Sequence, residues 1–155
     1  MTKQPIPPQV EYAVEQLKWL RVMLKLNISD LKMEGTKSFW SDFENLRGEP
    51  RISTIIRYCD AIGISLDNLL RGCPTSSGVS RMPDDKTVAK LARRYFGLTK
   101  KEIDFLLNAD RRWEVRDSIW VAARYVQERV DKWESFSKWF KWSVGCIASS
   151  TIHDD

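Results

Sequence analysis

The sequence predicts an all-α fold. Apolar residues recur at helical spacing (Val10, Val14, Leu17, Leu20, Leu24, and again Val115, Ile119, Ala122, Ala123, Val126, Val130), as in helices that bury one face. Period-two runs rich in β-branched residues, the mark of strands, do not occur. The breaks between the early apolar stretches are short and carry Gly, Pro, Asn or Ser, which suits short helices packed closely better than long bundle rods.

Each element follows from its own residues. The first residues carry Pro5, Pro7 and Pro8 and read as a disordered arm over 1–9. A first helix is expected from Val10 to Leu26. Asn27-Ile28-Ser29 offers a new cap for a short second helix over Asp30–Glu34, stopped by Gly35. After a Thr36-Lys37 connection, Ser38–Leu46 reads as a third helix with Trp40 and Phe43 inward. Gly48-Glu49-Pro50 breaks it. Ser53 or Thr54 is the expected cap of a fourth helix, with Ile55, Ile56, Cys59 and Ile62 on one side and Gly63 at its end. Ser65 opens a fifth, Leu66–Leu70. These helices make a domain over residues 10–72.

Residues 73–85, rich in Gly, Pro and Ser, form the expected linker. A second helical domain is expected over 86–147. Its first helix, Lys86–Phe96, stops at Gly97. Thr99 and Glu102 have the spacing of a capping box, opening a helix with Ile103, Leu106 and Leu107. A long pattern follows from Arg112 to Trp133, then an amphipathic segment from Glu134 to Ile147. A disordered tail is expected over 148–155.

Composition narrows the function. Net charge is +4 with acidic residues interleaved throughout, which permits an anionic partner without requiring one. Cys59, Cys73 and Cys146 have neither metal-ligand spacing nor the even number of a disulfide framework. The lone histidine, His153, lies in the polar tail. No cofactor, no metal and no catalytic constellation is expected, so an enzyme ranks last. No stretch has the make-up of a signal peptide or a membrane span, and a cytoplasmic protein is expected.

Trp40-Ser-Asp-Phe43-Glu44-Asn45, Pro50, Thr54, Ala61-Ile62-Gly63-Ile64-Ser65-Leu66-Asp67 and Leu69-Leu70 together resemble the second half of a Cro-like (XRE, phage-repressor-like) helix-turn-helix domain. Leu17, Leu20, Arg21 and Leu31 resemble the first. The sequence is shorter than the family pattern between Leu31 and Trp40, and Lys32 stands where that pattern has a small residue. The resemblance implies a five-helix repressor-like domain that places one helix in the major groove of double-stranded DNA. The positions it implies for base reading are Lys37, Ser38, Ser41 and Asn45: Lys37 suits guanine acceptors and Asn45 suits adenine. Phosphate contacts fall to Lys32, Arg47, Arg51, Ser53 and Thr54. A solvated cationic face would explain Lys32, Arg47 and Arg51 as well; the resemblance favours DNA. Glu44 is expected to hold the loop that follows it. Asp42 is expected either to reject wrong bases or to accept from a cytosine amino group.

Repressors of this family usually bind as dimers, and the aromatic load of residues 86–147 points to the second domain as the oligomerisation element. Trp113 and Trp120 serve equally well as core or contact. Trp133, Phe136, Phe140 and Val144 form one stripe at helical spacing and are assigned to packing between copies, in a homodimer or higher oligomer. Lys138-Trp139-Phe140-Lys141-Trp142 also has the look of a membrane-interface segment, ranked below oligomer packing. The expected function is a sequence-specific transcriptional regulator, a repressor of phage, plasmid or mobile-element type. The alternative is an antitoxin or another protein-binding module on the same fold.

Overall fold

The computed structural model describes residues 5–76, 84–108 and 112–153, without the side chains of 112–114, 147 and 149–153. Those residues are helical or irregular throughout, and the chain divides into two units, Met1–Met82 and Pro83–Asp155. The expected arm over 1–9 and linker over 73–85 lie partly outside the described residues. So does the side chain of Trp113.

In the first unit, α1 (Pro8–Met23) begins two residues before the sequence suggests. Pro7 stands at its cap and Pro8 at its first position, where a fixed φ suits the helix and the missing N–H costs nothing. Tyr12, Ala13, Val14, Leu17, Leu20 and Met23 are its buried face. The helix ends earlier than Leu26, because Lys25 turns left-handed at φ 58°. The Leu26 N–H donates back to the Arg21 carbonyl at 3.1 Å, which closes the end.

The expected second helix, Asp30–Glu34, is instead a single 3-10 turn, Ile28–Leu31. The Asp30 carboxylate accepts from the Asn27 N–H at 2.7 Å, a local bond that fixes one tight turn. Lys32 follows at φ 52°, and no helix continues through a left-handed residue.

Three helices complete the unit. α2 (Lys37–Glu44) is capped by Thr36, whose Oγ1 accepts from the Phe39 N–H at 3.0 Å. α3 (Ile52–Ile62) is preceded by Arg51 in extended conformation, so Ser53 and Thr54 are not caps but lie inside the first turn. Its buried face is Ile55, Tyr58, Cys59 and Ile62. Ile56 is exposed, because the buried face follows Ile55, Tyr58, Cys59 and Ile62 and Ile56 stands 100° round the helix from Ile55. Gly63, at φ 96°, ends the helix where the sequence places its stop. α4 (Leu66–Leu69) is capped by Ser65, whose Oγ accepts from the Asn68 N–H. The Tyr12 hydroxyl donates to the Arg71 carbonyl at 2.6 Å and ties the end of this segment to α1.

A buried carboxylate joins α1, α2 and α3. Glu44 receives Arg21 Nε at 2.7 Å and Nη2 at 2.6 Å, and the Tyr58 hydroxyl at 2.5 Å. Glu44 therefore clamps three helices together and does not hold the loop after it, the role the family resemblance had implied. Trp40, Phe43 and Tyr58 pack beside it with ring centroids 5.5 to 5.8 Å apart.

The second unit is built around α5 (Asp85–Phe96), which packs against α6 (Lys100–Leu107), α7 (Arg112–Glu128) and α8 (Trp133–His153). Asp84 caps α5 by accepting from the Thr87 N–H and hydroxyl. The Thr99–Glu102 capping box forms as expected, with bonds of 3.0 and 3.1 Å. The long pattern from Arg112 breaks at Arg129 and continues through a 3-10 turn, Val130–Lys132, before α8. α8 runs to His153, past the expected end at Ile147 and into the segment expected to be disordered. No proline stands in that stretch to stop it.

Two residues of the expected oligomerisation stripe lie in the core of their own unit. Phe136 and Phe140 are wholly buried in their own unit, against Phe96 at 6.5 and 4.8 Å, with Tyr125 5.5 Å from Phe136. Val144 is half-buried, and only Trp133 of the four is exposed. Trp120 is buried, with the Arg124 guanidinium 4.0 Å from its ring centroid. A small unit needs such large side chains for its own core.

Glu44→Ala should cost about 3–5 kcal/mol in urea unfolding, because it strands a guanidinium that is largely out of water. In the second unit, burial pushes the Asp117 carboxyl above its ordinary value, with Arg116 opposing. A carboxyl raised on folding subtracts stability at neutral pH, and the loss vanishes as pH falls through its folded value towards the unfolded one. Asp117→Asn should therefore raise the unfolding midpoint at pH 7, and the gain should shrink through the acid range in a pH series.

Candidate nucleic-acid interface

α2 follows directly on a turn at Gly35 and Thr36. Gly35, at φ 117°, brings the backbone close under the Trp40 indole: a Cβ there would stand 3.2 Å from Nε1. That indole donates to the Glu34 carbonyl at 3.0 Å. With Trp40, Phe43 and Glu44 turned inward, the 100° step of a helix sends Ser38, Asp42 and Asn45 outward.

The expected base readers fall unequally on this face. Lys37 and Ser38 are exposed in the first turn of α2, at the helix end that presents unpaired amides. Ser41 is half-buried on one flank. Asn45 is exposed, and its amide donates to the Ser41 carbonyl at 2.9 Å, so one donor is already engaged. Asp42 stands at the middle of the face. Arg47 pairs with it at 3.3 Å and offsets its charge.

The expected phosphate contacts divide into two places. Arg47, Arg51 and Ser53 come together around a 450 Å³ groove between α2 and the start of α3, with Phe39, Asp42, Glu49 and Arg57. Arg51 gives the first turn of α3 no side-chain cap, while the Thr54 and Ile55 amides donate to its carbonyl at 3.0 and 3.1 Å. Thr54 also lines the groove but is buried, with its hydroxyl accepting from Arg57 at 3.4 Å. It is a structural residue before it is a contact. Lys32 lies elsewhere, in a second recess of 360 Å³ with Trp40, Arg57 and Asp60.

Arg57 and Phe39 do not stand out in the sequence. Arg57 lines both recesses and places its guanidinium 5.9 Å from the Trp40 ring centroid. Its position between inward Ile55 and Tyr58 is the signal that could have found it. Phe39 is 45% exposed on α2. Once Trp40 and Phe43 are inward, helical spacing leaves Phe39 at the margin of the buried face.

Compared with known proteins, the chain matches no family model, no curated protein and no solved structure. No described helix is long and apolar enough to cross a membrane.

Lys32 separates stability from binding. Lys32→Gly should raise stability by about 1 kcal/mol in thermal unfolding, by relieving a left-handed side-chain residue. It should at the same time weaken any binding to duplex DNA that uses this cation, read by gel shift on the same preparation.

Proposed function

We propose that the chain is a sequence-specific DNA-binding regulator related to the Cro-like helix-turn-helix family, acting as a repressor by occupying promoter DNA. The observation that carries the reading is the groove between α2 and α3, where Arg47, Arg51 and Arg57 converge beside an outward helix. A duplex would lay α2 in its major groove, with Lys37, Ser38, Ser41 and Asn45 toward base edges. Its phosphates would meet Arg47, Arg51, Ser53 and the first amides of α3. Asp42, already paired with Arg47, would penalise registers that bring a phosphate or a carbonyl edge against it. Binding as a homodimer belongs to the same reading, with Trp133 as the exposed remnant of the assigned stripe.

A protein-binding module is the second reading. Ile52 and Ile56 favour it, since they leave an apolar stripe on the outside of α3, 58% and 40% exposed. An antitoxin or inhibitor would use such a stripe where DNA would not. A stoichiometric protein partner, together with DNA affinity unchanged by Lys37→Ala plus Asn45→Ala, would support this reading over the first.

Enrichment of duplexes from a random pool, followed by titration at several salt concentrations, tests the leading reading. Binding should weaken steeply with salt. Arg47→Ala plus Arg51→Ala should reduce the log–log slope by about 1.8, or about 0.9 for each phosphate that is no longer neutralised. Absence of any salt-sensitive duplex binding would sink it.

A further inference from the structure

Phe39 has no role in the phosphate and base assignments above, yet its ring is held in place. It sits edge-on to Trp40, with centroids 5.0 Å apart and planes at 84°. Its own N–H is tied to the Thr36 cap. On the other side the backbone of Gly35 lies alongside the ring, where an added Cβ would stand in ordinary contact with its Cδ1 at 3.5 Å. Phe39 as a whole is nevertheless 45% exposed and lines the groove that contains Arg47, Arg51 and Arg57. Three guanidinium groups outnumber the two carboxylates that line the same groove, Asp42 and Glu49, so an ordered apolar group there fits a ligand with an anionic frame and small apolar projections. In the major groove of DNA, the apolar projection is the C5-methyl of thymine.

We propose that Phe39 is a specificity-determining residue that packs on a thymine methyl while the surrounding arginines hold the phosphates. The assignment rests on the DNA-binding reading. It commits to thymine in a duplex, since a protein ligand engaging the same ring would be indifferent to a base methyl.

The test uses the full chain. Duplexes are enriched from a random pool with the unaltered protein, with Phe39→Ala and with Phe39→Leu; Phe39 is half in water, so both variants should fold, and circular dichroism checks this. The unaltered protein should enrich thymine at one defined position. Deoxyuridine at that position, which removes only the methyl, should weaken binding about four-fold, the worth of one buried methyl-sized group. Phe39→Ala should lose both the thymine preference and the uracil penalty, and Phe39→Leu should keep part of each. Equal affinity for thymine and uracil at every enriched position would overturn the assignment while leaving DNA binding intact. So would an unchanged preference in Phe39→Ala. Failure to enrich any duplex would remove the DNA-binding reading, and the assignment with it.

Discussion

The placement of α2 depends on one buried carboxylate. Eight residues make about two turns, too few to persist as a helix without tertiary support. Glu44, in the last turn, is seized by Arg21 from α1 and Tyr58 from α3. The Glu44 hydrogen bond, against the opposing cost of burial, holds the Arg21 guanidinium above its ordinary value, so it stays charged. Burial, then the Glu44 hydrogen bond, pushes the Tyr58 phenol well up, so it stays a donor. Such a cluster contributes little net stability compared with an apolar substitute, but each bond requires a particular direction. It fixes the angle at which α2 leaves the body, and every group on the outward face inherits that angle.

Much of the architecture was legible because it rests on short-range chemistry. Gly63 and Gly97 end α3 and α5 where the chain must turn left-handed, and Ser65 and the Thr99–Glu102 pair cap the helices that follow, α4 and α6, by bonds spanning three residues. What the sequence concealed depends on competition between elements. The segment after Asn27 carries enough polar side chains to satisfy its own backbone, so a 3-10 turn forms where a helix was expected. Nothing at Arg129 signals a break, since neither Gly nor Pro stands there; the chain redirects at an ordinary arginine. In the candidate interface, Arg47 and Arg51 were legible as charges of the α2–α3 groove, and Arg57 was not. The segregation of Lys32 from Arg47 and Arg51 was not legible, because it depends on how the elements pack and not on the spacing of residues along the chain.

The stripe of α8 shows the limit of periodicity. Trp133, Phe136, Phe140 and Val144 share a side of the helix by spacing, and spacing does not say whose surface that side meets. Phe96, at the end of α5, settles the matter for two of them: its ring lies within 4.8 Å of Phe140 and 6.5 Å of Phe136. Trp133 begins the helix and Trp142 turns to the other side, at 64% exposure, so they escape this packing. An aromatic-rich helix in a small unit is thus divided along its length between internal core and open surface.

Arg57 carries a consequence of its own. A single guanidinium borders two recesses and rests against Trp40 between them. One cation serves both sides, so an anion drawing it toward either recess leaves the other poorer in positive charge. Two anions, one in each recess, would compete for that cation, and filling one recess would change the field in its neighbour without any helix having to move.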